Sequence, residues 1–338
     1  MRLLGGIFCL GMLLGCQPDA PPMSTTEGAV MGTDYHVTWI NPPGQDEQRI
    51  REGVFNALSD VDDTMSTYQD TSELSHLNQS AINTPLNLSP AMTYLLGMAE
   101  DIHQQSGGGY DVTVGALVNL WGFGPDHRPD AVPDPEQIRL LQAQTGQESL
   151  KLDRAGNTLV KEKPVMIDLS SIAKGYGVDK AAEYLESQGI QQYMVEVGGE
   201  IRLKGPKSNG EPWRIAVESP VGMREIYSVL SLNDAAMATS GDYRNYFEQD
   251  GVRYSHTIDP RTGRPITHNL ASVSVLANNT AEADGWATAF MVLGVDAGKQ
   301  LAEEKEMAVY FIFKGDHGFE DWASTAFQKR VGHVEKSE

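Results

Sequence analysis

The sequence predicts an α+β fold, on two observations. Strand-like and helix-like segments interleave without a regular βαβ alternation. No internal repeat, low-complexity tract or Gly/Ser linker breaks the chain after residue 27, so residues 28–338 read as one compact unit. Residues 35–40 alternate in polarity and read as a strand, whereas Ile50, Val54, Leu58 and Val61 recur at helical spacing. Ser89-Pro90 supplies an N-cap and a first-turn proline to a helix carrying Tyr94, Leu95, Met98 and Ile102, which should stop at Gly107-Gly108-Gly109. Asp134-Pro135 opens another helix in the same way, closing near Gly146. A strand over 165–168 should lead to a helix over 172–188, with Gly189 as its stop. Further strands are expected at 193–197, 213–217, 226–232, 254–258 and 271–276, then a helix over 280–293 and a buried strand over 309–313.

Residues 1–15 have the layout of a secretory signal: Arg2 gives the positive start and an apolar run from Leu3 to Leu14 follows. That run is too short to span a bilayer. It ends in Leu13-Leu14-Gly15-Cys16, which resembles the lipobox of bacterial lipoproteins and makes Cys16 the expected lipidation site. An ordinary signal peptide that happens to contain Cys16 is the plainer alternative. Residues 16–27, rich in Pro and Ser/Thr, offer nothing to bury and read as a lipidated tether. Cys9 and Cys16 are the only cysteines, so the mature body holds no disulfide, thiol nucleophile or thiolate metal site, consistent with export to an oxidising compartment. A net charge of −20 lacks the basic face that a nucleic-acid partner needs. It leaves room for an anionic small ligand held by backbone amides, a few cations and a metal.

Four constellations are richer in Gly and polar residues than packing requires. Gly107–Gly115 with Asn119–Gly124 combines close backbone approach with aromatics able to stack on a planar ring, although a turn-rich loop with buried aromatics has the same composition. Asp168–Gly177 enters a helix with Ser171 and Lys174 beside its first amides, a natural seat for a phosphate, or a site where Asp168 or Ser170 merely caps the helix. Ala238–Arg244 and Tyr254–Gly263 place His256 near an Asp and an Arg, which suits a general base, a phosphate contact or a structural hydrogen-bonder beside a tight turn. In Ala283–Thr288, Asp284 and Thr288 are four apart and share a helix face as hard oxygen ligands of the kind Mg²⁺ prefers; a merely polar helix face is the alternative.

Together with Met31-Gly32-Thr33, Met65-Ser66-Thr67-Tyr68, Ser72-Glu73-Leu74-Ser75 and Val197-Gly198-Gly199-Glu200, these segments resemble the ApbE family of FAD:protein FMN transferases over nearly the whole mature chain. The resemblance implies an α+β, T-fold-like architecture with FAD as substrate and Mg²⁺ as cofactor. It places FAD against Met31, Tyr68 and the Gly109-Tyr110-Asp111 turn, with Asp168, Lys174 and the backbone near Ile258 completing the site. It places Mg²⁺ near Ser171 and on Asp284 and Thr288, and gives His256 a catalytic role. Two departures stand out: Ala287 lacks the oxygen side chain of some relatives, so a water would fill that place, and Lys174 stands where some members have glutamate. The implied acceptor is a Thr or Ser of a membrane respiratory subunit, such as those of the Na⁺-pumping quinone reductase or the Rnf complex. FAD pyrophosphatase activity, releasing FMN and AMP, is the enzymatic alternative; Tyr68 speaks against it, since hydrolytic relatives differ there. A flavin-storing lipoprotein is the non-catalytic one. The expected location is the periplasmic face of the inner membrane, reached through the lipid alone, with Gln17 also compatible with the outer membrane.

Overall fold

The structure, a computed structural model, describes residues 22–126, 131–221, 225–242, 245–332 and 334–336. The expected signal peptide, Cys16, and Tyr243 and Arg244 of the third constellation lie outside the described residues. Eight antiparallel strands form one sheet in which spatial order follows chain order. They are β1 (Met23–Val30), β2 (Thr33–Ile40), β3 (Tyr193–Val197), β4 (Glu200–Lys204), β5 (Ala235–Gly241), β6 (Leu270–Ala277), β7 (Ala308–Gly315) and β8 (Gly318–Ala323). Between β2 and β3 the chain inserts α1 (Glu47–Met65), α2 (Glu73–Gln79), α3 (Pro90–Gln105), α4 (Gly115–Leu120), α5 (Pro135–Gln142) and α6 (Ala173–Ser187). Helix α7 (Thr280–Glu304) joins β6 to β7, and α8 (Thr325–Val331) follows β8. The mixed α+β class is the one the sequence predicts.

Local chemistry sets the helix boundaries. Ser89 accepts from the Met92 amide and Asp134 from the Glu136 amide, each ahead of a first-turn proline. Along α1, Ile50, Val54, Leu58, Val61 and Met65 form the buried stripe; the first three, with α6 residues such as Leu185, cover Trp39, Tyr193 and Val195 of the sheet, and Val61 and Met65 join the core with α3 and α7. Alternation in the strands then divides the sheet's two faces. Ala238, Val273, Val275 and Phe311 pack with Phe290 of α7 and Ile102 of α3. Met237, Leu276, Tyr310 and Ile312 pack the other way, against Phe327 of α8 and the small sheet that contains Trp213–Glu218 and Ile226–Leu232. Each large apolar side chain so covered contributes about 1.5–3 kcal/mol, so the sheet is held from both sides.

Four expectations need correction. Residues 23–27 are not tether but the first part of β1, which pairs with β2 from Met23↔Ile40 to Val30↔Thr33. Only Ser24 of that strand is buried, so backbone pairing rather than side-chain burial orders it. Residues 165–168 form no strand beyond a bridge between Met166 and Val114. There the Asn78 side chain stands in for a neighbouring strand, accepting from the Ile167 amide (2.7 Å) and donating to the Ile167 carbonyl (2.8 Å). The strand expected over 254–258 divides into Val252–Ser255 and Ile258–Asp259, with His256 and Thr257 between the pieces. The helix expected to end at residue 293 continues, past a break at Gly294, to Glu304.

Candidate active site

Two tight hairpins lie at the same end of the sheet. In the β3–β4 turn, Gly198 (φ 62°) and Gly199 (φ 108°) both have the left-handed backbone that a two-residue hairpin requires, and Val197 pairs directly with Glu200. In the β1–β2 turn the matching pair is Met31 (φ 53°) and Gly32. These turns, the end of β5, the start of α6, one face of α7 and the segment around His256 line a cleft of about 1070 Å³. Met31, Tyr68, Gly109, Tyr110, Asp111, Asp168, Ser171, Lys174, His256, Ile258, Asp284 and Thr288 all line it. Residues from distant parts of the chain are thus brought together in one cleft.

His256 is held by one backbone group. Its Nδ1 lies 2.9 Å from the Asn245 carbonyl, which can only accept, so Nδ1 carries the proton and Nε2 keeps the lone pair. Burial pushes its pKa below the ordinary histidine value, with the Asn245 carbonyl partly opposing. Phe123 packs edge-on against the ring at 6.3 Å, and the Trp121, Phe247 and Tyr254 rings stack behind it. A neutral imidazole fixed in one tautomer can take up a proton at Nε2.

The same cleft holds a charged cluster. Asp284 is 3 % exposed and accepts at Oδ2 from the Gly175 amide (2.9 Å). The helices approach so closely that a Cβ on Gly175 would lie 2.3 Å from the Thr280 carbonyl oxygen, so glycine is what allows this contact. The α6 amide expected to await a phosphate is therefore capped by Asp284. Lys174 Nζ lies 2.9 Å from Glu200 Oε1 and 3.8 Å from Asp284 Oδ1. Burial alone would lower the lysine's pKa, but the two carboxylates raise it. Burial works against the charged forms of Glu200 and Asp284, and the Lys174 ammonium beside them pulls the other way. Thr288 lies 3.4 Å from Ser240, and Thr239 lies 2.8 Å from Ser274, so hydroxyls continue the polar wall beside the carboxylate.

Other residues differ in how they serve the cleft. The Tyr110 ring is buried and its hydroxyl lies 2.9 Å from Ser171 Oγ, with burial raising its pKa far above that of a free phenol. Asp111 is occupied by its own turn: Oδ1 accepts from the Thr113 amide and hydroxyl, and Oδ2 from the Gln147 amide. Asp168 holds the Ser170 amide at 2.8 Å and does not cap α6, whose N-cap Ile172 makes no side-chain bond. Tyr68 is 65 % exposed at the cleft wall. Ala287 is fully buried in the main core. Glu200 and Asn245 line the cleft and hold Lys174 and His256, and sequence reasoning did not single them out. Glu200 was visible only as part of Val197-Gly198-Gly199-Glu200, and Asn245 acts through its backbone, which carries no side-chain signal.

The profile of the ApbE family matches residues 31–311. The chain belongs to the ApbE family. Its relatives in that family include a Vibrio cholerae protein named FAD:protein FMN transferase, 48 % identical over 96 % of this chain and 97 % of that protein. A Haemophilus influenzae protein of the same name is 45 % identical over 97 % of this chain and 98 % of that protein. The solved flavin transferase ApbE from Vibrio cholerae superposes with a TM-score of 0.86 at 46 % identity, covering 92 % of this chain and 99 % of that one. The ApbE relatives thus share the fold that builds the cleft from end to end.

Proposed function

We propose that the chain transfers the FMN half of FAD to a Thr or Ser hydroxyl of an acceptor protein and releases AMP. The observation that carries this reading is that a neutral, tautomer-fixed His256 and the Asp284/Thr288 oxygen pair line one cleft, in a member of a family whose relatives bear that activity in their names. At about 1070 Å³ the cleft exceeds the roughly 300–1,000 Å³ usual for small ligands and suits a dinucleotide. His256 Nε2 takes the acceptor hydroxyl's proton as its oxygen bonds to the FMN phosphorus. The pyrophosphate P–O bond breaks, and its electron pair leaves with AMP. In this reading Tyr110 steadies Ser171 through its hydroxyl, and Met31 and the exposed Tyr68 serve the flavin end.

The side chains fit Mg²⁺ by their chemistry. Among the described residues no three His, Cys, Asp or Glu side chains gather into a cage. Mg²⁺ does not need one, because it commonly takes one or two carboxylates and fills its shell with water and substrate phosphates. Asp284 and Thr288, beside Ser171, would hold it, and bound there it would neutralise charge on the pyrophosphate.

The acceptor in this reading is a membrane respiratory subunit, such as one of the Na⁺-pumping quinone reductase or the Rnf complex. Lipidation of Cys16 would hold the enzyme on the periplasmic face of the same inner membrane. Cys16→Ser should yield a soluble enzyme with unchanged turnover, as measured by FAD cleavage after fractionation; lost turnover would give the anchor a second role. The transfer itself is tested by incubating the mature protein with FAD, Mg²⁺ and a candidate acceptor. A fluorescent acceptor band on a denaturing gel is expected, and its absence while FMN appears free in solution would show hydrolysis instead.

A further inference from the structure

Lys174 is one ammonium shared by two buried carboxylates. It makes a charge-assisted hydrogen bond to Glu200 Oε1 at 2.9 Å and stands 3.8 Å from Asp284 Oδ1, beyond hydrogen-bond reach. Asp284 has its other oxygen committed to Gly175, so Oδ1 is what it has left to offer a cation. Glu200 is 2 % exposed and lines the cleft, fixed there by the Gly198-Gly199 turn. We infer that Glu200 is a positioning residue that holds Lys174 off Asp284 and so keeps the Asp284 carboxylate open to a divalent cation.

The physical reason is that a buried ammonium needs an anionic partner. Lysine has a flexible stem, and without the Glu200 charge the nearest buried anion is Asp284. Closing the remaining gap would turn the metal's carboxylate into half of an ion pair, which an entering cation would have to break. A different role for Glu200 is open to the same experiment: its Oε2 has no hydrogen-bond partner, so it is a possible direct ligand. The inference rests on the placement of the cation at Asp284.

The test measures binding rather than turnover. Mn²⁺ is titrated into the full mature chain with FAD present and no acceptor, and free Mn²⁺ is followed by electron paramagnetic resonance. The variants are Asp284→Asn, Glu200→Gln, Lys174→Met and the Glu200→Gln/Lys174→Met double. Glu200→Gln should weaken Mn²⁺ binding about 10- to 100-fold, the usual effect of losing a residue that orients a ligand. The double variant should recover the parent's affinity or exceed it, because the competing ammonium is gone. Normal affinity in Glu200→Gln overturns the inference. A double variant as weak as Glu200→Gln also overturns it and makes Glu200 a direct ligand. Equal binding by parent and Asp284→Asn instead rejects the metal placement on which the inference stands.

Discussion

Asp284→Asn should nearly stop FAD cleavage, with Mg²⁺ affinity lowered by at least about 10- to 100-fold. The variant removes the formal charge but keeps the fold, because an amide oxygen can still accept from the Gly175 amide that Asp284 now holds at 2.9 Å. Nearby, Lys174 would then face one buried anion where it had two. Thr288→Val removes a neutral ligand and should be milder, with excess Mg²⁺ partly restoring cleavage as water takes the empty place. A Mg²⁺ titration of cleavage in both variants checks this. A titration curve for Asp284→Asn that overlays the parent's would place the metal elsewhere.

His256→Ala is expected to bind FAD and transfer it roughly 10²–10⁴ times more slowly, the usual loss when a general base is removed. Flavin fluorescence quenching reads the binding, and single-turnover AMP release reads the chemistry. The pH profile carries a second signature. A base must be neutral to act, and burial lowers the pKa of His256 below 6.5. The parent's rate should therefore fall on the acid side at a lower pH than an ordinary histidine base would give. Acidification should leave the slow His256→Ala rate without this limb. Near-normal turnover in the variant would remove His256 from the chemistry, and lost FAD binding would make it a pocket residue.

Much of this architecture was legible where side chains carry a periodic or capping signal. Ser89-Pro90 and Asp134-Pro135 opened helices, and Ile50 to Val61 marked the buried face of α1. Strand β1 escaped because Met23–Val30 buries only Ser24, and a tether and an edge strand of that composition look alike. Strand β5, written AAMATSG, carries few of the β-branched and aromatic residues that mark strands. The residues expected to form the site lie in long, unusual segments, and those segments converge on one cleft. What stayed hidden depends on three-dimensional approach: the hold of the Asn245 carbonyl on His256, the capping of α6 by Asp284, and the pairing of Glu200 at the start of β4 with Lys174 of α6.

The central claim is that phosphoryl transfer ends on a protein hydroxyl and not on water. The most direct measurement counts both products in one reaction: AMP by chromatography, and FMN covalently attached to the acceptor by intact mass. Transfer predicts one attached FMN for each AMP released, and loss of the attachment when the acceptor's target Thr or Ser is replaced by Ala. AMP released with an equal amount of free FMN, and an acceptor of unchanged mass, would contradict it.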